Sequence, residues 1–164
     1  LEMKDWIEQY DSSDITKPPV PDASKQLAAT ARVIVSSNLP RALTSVQALG
    51  LKPALVDGLF REAPLPYGHW RLPRLSPFVW AFILRILWLW GYSHGVESVG
   101  TAKRRASTAA QRLQSLASEG PVLLLGHGFM NRMIARQLEA DGWTRQTGNG
   151  SQYWSATVYQ NDSI

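Results

Sequence analysis

Short runs of branched apolar residues alternate along the chain with stretches whose apolar positions recur every three or four residues. RVIVSS (32–37) and VLLLGH (122–127) have the compact apolar character of buried strands in a parallel sheet, and PALVDGLFRE (53–62) reads as a second strand between them. NLPRALTSVQALG follows the first as a helix, with Ser37 or Asn38 as its cap, Pro40 in its first turn and Gly50 at its end. Val99, Ala102, Ala106, Ala109, Leu113 and Leu116 mark one face of a long helix over 99–117, which Gly120-Pro121 terminates. GFMNRMIARQLEADG is the helix after the third strand, and Gln26–Ala31 reads as a short one. Residues 11–24 are polar and proline-rich, hence a loop. GNGSQYWSATVYQ turns and then alternates as a strand, with Tyr153, Ser155, Thr157 and Tyr159 on one face. Strands separated by helices predict an α/β fold, three layers with helices on both faces of a largely parallel sheet.

One segment breaks the pattern. FVWAFILRILWLW (78–90) is apolar nearly all round, is too short to span a bilayer and carries Arg85 at its centre. It reads as a helical insertion near 76–92, expected to serve as a core or lid helix; a dimer contact or a membrane-surface contact are the other uses of such a face. The rest, with no internal repeat, fits one domain over 1–164. The first ten residues, LEMKDWIEQY, read as an amphipathic helix already under way, so the natural N-terminus is expected upstream. A targeting segment would lie there too, which leaves localisation unknown, with the cytoplasm as the default.

Composition narrows the chemistry. There is no cysteine, which excludes disulfides and cysteine-based metal sites, and His69, His94 and His127 are spaced unlike a zinc motif. No metal or other cofactor is expected. Lys and Arg number 17 against 13 Asp and Glu, a net charge of +4, which favours anionic ligands. The tightest basic cluster, Lys103-Arg104-Arg105, lies on the long helix without interleaved aromatics, so it reads as a solvated face and not as a nucleic-acid site.

Ligands of such sheets bind beyond the carboxyl ends of the strands. Those ends carry Ser37, Asn38 and Arg41 after the first strand, Arg61 and Glu62 after the second, and Gly126-His127-Gly128 after the third. An arginine, a carboxyl and a histidine suit phosphoryl transfer. The guanidinium grips phosphate oxygens, the imidazole donates to them as charge spreads, and the carboxylic acid protonates the departing alcohol. Glycines beside His127 let an anion approach a helix start. Each feature alone has an ordinary structural explanation; their order and placement together point to a site.

SSNLPRALTSVQALG, LFREAPLPYG, HGVES and PVLLLGHGFMNRMIARQL, in this order, resemble segments of the histidine phosphatase (phosphoglycerate-mutase-like) superfamily. The resemblance implies that fold, and assigns Arg41 as a phosphate-clamping arginine, His127 as the second, non-covalent histidine and Glu62 as the proton donor. Ser37, Asn38, Arg105 and Arg132 are further candidates for contacting substrate, each equally suited to a structural role. The family's nucleophile, the histidine of an Arg-His-Gly motif, has no counterpart in these residues, so the chain as given is expected to lack activity. The implied function of the intact protein is cofactor-independent phosphatase action on a phosphorylated substrate through a phosphohistidine. A non-catalytic phosphate-binding module is the alternative. A mutase ranks below both, and an α/β-hydrolase is opposed by the lack of a Gly-x-Ser-x-Gly elbow.

Overall fold

The structure, a computed structural model, describes residues 5, 7, 9, 19–68, 75–148 and 152–162. Within the expected opening helix, Asp5, Ile7 and Gln9 are helical; the remainder of that segment and His69 lie outside the described residues. The chain divides into two compact units, Asp14–Glu62 with Arg105–Ile164, and Leu1–Ser13 with Ala63–Arg104.

The first unit is built on a parallel sheet. Helix α1 (Asp22–Ala29) precedes strand β1 (Val33–Ser37), helix α2 (Pro40–Ala48) and strand β2 (Leu55–Asp57). After the second unit's residues come the C-terminal part of helix α4 (Val99–Ala117), strand β3 (Val122–Leu125), helix α5 (Gly128–Ala140) and strands β4 (Thr144–Thr147) and β5 (Val158–Gln160). The strand order is β2-β1-β3, with Val35 in register with both Leu55 and Leu124. As the central strand, β1 buries four residues in succession, Ile34 to Ser37, as its unbroken apolar start implies. Because all three strands run the same way, Ser37, Asp57 and the residues after Leu125 emerge at one edge.

Three elements differ from expectation: helix α1 starts at Asp22, after Pro21 and inside the expected loop 11–24, and ends at Ala29 instead of Ala31, and the other two differ for local reasons. The second strand ends at Asp57, whose side chain accepts the Leu59 amide at 2.8 Å and caps a 3-10 turn over Gly58–Phe60. That turn buries Phe60 and releases Arg61 and Glu62 from the sheet. At the C-terminus, Trp154 adopts φ 63° and interrupts the expected alternation, so only Val158–Gln160 remain extended. Their antiparallel partner is β4, all four residues of which are exposed and which therefore shows no apolar pattern.

The second unit holds helix α3 (Pro77–Leu89) and the start of helix α4 (Val99–Ala117). Ser76 caps α3 by accepting the Val79 amide. Leu84 and Trp88 are buried, and the Trp88 indole donates to the Glu97 carbonyl at 2.7 Å. Arg85 is not stranded in this apolar helix: Nη2 donates to the Ala63 carbonyl at 2.8 Å and Nη1 to Pro64 at 3.3 Å, with the guanidinium carbon 5.1 Å from the Trp88 ring centroid. On the other side Phe78, Phe82, Ile86 and Leu89 are exposed, followed by Trp90. No described helix is long and apolar enough to cross a membrane. Helix α4 buries Ala102, Ala106, Ala109 and Leu113 of the face that the sequence pattern marks, with Ala110 beside them, while Val99 and Leu116 at its ends are half-buried.

Candidate functional site

His127 stands between β3 and α5, in extended backbone as the residue preceding the helix. Gly126 leaves room for the Asn131 side chain of the first helical turn, which a Cβ there would displace. The imidazole is 7% exposed and is engaged at both nitrogens. Nε2 lies 2.9 Å from Ser37 Oγ, at the end of β1, and Nδ1 accepts the Arg41 Nε–H at 3.3 Å from α2. Ser37 is itself fully buried; its Oγ also accepts the Leu39 amide at 3.2 Å, and its carbonyl accepts the Ser36 hydroxyl at 2.8 Å. Burial, followed by the positive charges of Arg41 and Arg61, lowers the His127 pKa from 6.5 to about 4, so the ring is neutral at pH 7.

Glu62 reaches the same turn from the other side. Its two carboxylate oxygens accept the backbone amides of Phe129, at 3.1 Å, and Met130, at 2.9 Å. These amides belong to the first turn of α5, where no intrahelical acceptor exists and the helix dipole favours a negative charge. The segment leading to Glu62 is held by Arg105, whose Nη1 donates to the carbonyls of Leu59 at 2.9 Å and Arg61 at 2.8 Å. Glu62→Ala removes both acceptors, and the unfolding free energy is expected to fall by about 2–4 kcal/mol in urea titration. Glu62→Gln, retaining one oxygen, is expected to lose about half as much. Unchanged stability of the alanine variant would refute this capping role.

The structure therefore brings Ser37, Arg41, His127 and, through the first turn of α5, Glu62 to one edge of the sheet. Arg105 braces the chain beside them. Asn38 is exposed, with its side-chain amide 3.5 Å from where a Cβ of Gly58 would stand. Arg132 is exposed on α5. Arg61, which the sequence places beside Glu62 at the end of the second strand without assigning it a role, acts through its charge on His127. Among the described residues, no group of three or more His, Asp or Glu side chains could hold a metal ion. The arrangement offers a guanidinium and an imidazole beside a helix N-terminus, chemistry that accepts an oxyanion.

The family model described as the histidine phosphatase superfamily (branch 1) matches residues 22–160. Similar solved structures include the product of an open reading frame of Mycobacterium tuberculosis, at 22% identity and TM-score 0.56, covering 75% of this chain and 65% of that one. A mycobacterial glucosyl-3-phosphoglycerate phosphatase is 22% identical with TM-score 0.54, over 77% of this chain and 69% of that one. A protein described as mycobacterial hydrolase 1 is 23% identical with TM-score 0.52, over 77% of this chain and 65% of that one. The chain thus spans less than two thirds of the first and third of these, and at such identities the likeness is one of fold. No curated protein matches the chain significantly.

Proposed function

The chain belongs to the histidine phosphatase superfamily, branch 1, and from that premise we propose that it forms the phosphate-binding part of a phosphomonoesterase. The observation that carries this reading is the bond between Arg41 and His127, two residues 86 apart in sequence that meet at the carboxyl edge of a parallel sheet. A phosphoryl group entering here takes the Arg41 guanidinium as its main counter-charge and His127 as a second contact.

In the intact protein, the nucleophile of the proposed reaction is a histidine contributed from outside these 164 residues, since they contain no Arg-His-Gly. Its ring nitrogen attacks phosphorus, the ester P–O bond breaks, and Glu62 protonates the departing alcohol oxygen. Water then cleaves the P–N bond of the phosphohistidine. Glu62 must release at least one of its two helix amides to act as the acid. A phosphorylated sugar acid, as named for one of the structural neighbours, is one substrate to try. The competing reading, a phosphate-binding module without turnover, is favoured by one fact alone, the missing motif.

The test is hydrolysis of p-nitrophenyl phosphate by the protein expressed from its full open reading frame. Turnover there, with phosphate binding but none in the isolated chain, is the expected outcome. Phosphate binding without turnover in both would favour the non-catalytic module.

A further inference from the structure

Glu62 has to move to do what the proposed reaction asks of it. Its carboxylate accepts the Phe129 and Met130 amides and must let go of at least one of them to reach a leaving group. A long, rotatable side chain delivers a proton to one point only if its root stays fixed.

That root is held from α4. Arg105 Nη1 carries two hydrogens and spends them on the carbonyls of Leu59, at 2.9 Å, and Arg61, at 2.8 Å. The Arg61 carbonyl lies in the peptide plane that ends at the Glu62 Cα. Fixing its oxygen therefore fixes the point from which the acid side chain swings. The turn before it is held independently: Asp57 caps it, Phe60 is fully buried, and the Arg61 amide donates to the Gly58 carbonyl at 3.1 Å. Arg105 is itself half-buried, on a helix that Ala106, Ala109 and Leu113 anchor by their burial.

We infer that Arg105 is a positioning residue for the proton donor, holding the Glu62 backbone in place while the carboxyl leaves α5 and meets the departing oxygen. This role rests on the reading of Glu62 as the acid, and it adds a dependence on the leaving group. A basic leaving group needs the proton as the P–O bond breaks, whereas a stabilised one departs as an anion without it. Loss of Arg105 therefore lowers the rate most for the most basic leaving groups. A residue that only keeps the protein folded, or that only grips the phosphate, affects every ester alike.

The test is kcat/KM for aryl phosphates of similar shape, from p-nitrophenyl to the more basic p-methoxyphenyl, with the protein expressed from its full open reading frame. This constant covers the steps through formation of the phosphohistidine, in which the ester bond breaks. Arg105→Ala is expected to lower it about ten- to a hundredfold for p-methoxyphenyl phosphate and about threefold at most for p-nitrophenyl phosphate. Glu62→Gln is expected to show the same split more steeply. Arg105→Lys keeps a donor and is expected to show a smaller split, which also serves if the alanine variant does not fold. Inhibition by inorganic phosphate is expected to stay unchanged in the Arg105 variants, because Arg41 and His127 remain in place. A fall that is uniform across the series in those variants, beside a split in Glu62→Gln, would overturn the positioning role and leave Glu62 as the acid. Weakened phosphate inhibition with a uniform fall would instead place Arg105 on the substrate, against the role inferred. No split in Glu62→Gln would remove Glu62 as the proton donor, and the role of Arg105 with it.

Discussion

Arg41→Ala is expected to lower kcat/KM for p-nitrophenyl phosphate by two to three orders of magnitude in the full-length protein. That loss is of the order seen when one preorganised donor to a developing oxyanion is removed, about 3–4 kcal/mol. The size follows from position. Arg41 is the second residue of α2, part-buried, and aimed by the short turn from Ser37 at a ring that is itself almost wholly buried. A charge held there is already in place when the phosphoryl group arrives and has only to exchange its bond to His127 for one to the anion. Arg41→Lys keeps the charge but not the fork or the Nε donor, so it should recover only part of the rate. The measurement is steady-state kinetics on the two variants. Wild-type turnover in Arg41→Ala would remove this residue from the reaction.

The second large effect is one of stability against pH. His127 has a pKa of about 4 in the fold, below its ordinary 6.5, chiefly because it is buried and then because of Arg41 and Arg61. The folded state therefore resists a proton that the unfolded chain accepts. This contribution to stability is complete above about pH 6.5 and is lost as pH falls to about 4, amounting to about 3 kcal/mol. Urea unfolding of wild type and His127→Gln at pH 7 and pH 4 isolates it, because the carboxylates titrate alike in both. Wild type is expected to lose about 3 kcal/mol more than the variant across that interval. Equal losses would mean that the imidazole is not held neutral by its surroundings.

Much of this was legible in the sequence because buried strands and capped helices leave strong local marks. The apolar run ending in Ser36-Ser37 gave β1 and its carboxyl end, and Pro40 and Gly50 bracketed α2 closely. Val99–Ala117 and the segment around His127 also fell where the pattern placed them. The convergence of Arg41 and His127 was readable because parallel strands must end on one edge. What escaped was set by single side-chain bonds with no periodic signature. Asp57 stops β2 by capping a turn, and exposed β4 pairs with β5 without an apolar pattern to mark it. Glu62 was read for its acidity, whereas its geometry as a cap on α5 depends on a long-range meeting of segments. Arg105 was a candidate for substrate, yet its guanidinium braces two carbonyls near Glu62. Composition could indicate that the chain favours anions but not which arginine would sit beside the histidine.

The central claim is that one anion is held between the Arg41 guanidinium and His127. Its most direct test is a crystal of this chain soaked in tungstate, a phosphate mimic that anomalous scattering locates without ambiguity. The account predicts a tungsten site within hydrogen-bonding distance of both Arg41 and His127 Nδ1, with the direct bond between the two side chains replaced. Tungstate bound only elsewhere, with Arg41 still donating to His127, would contradict it.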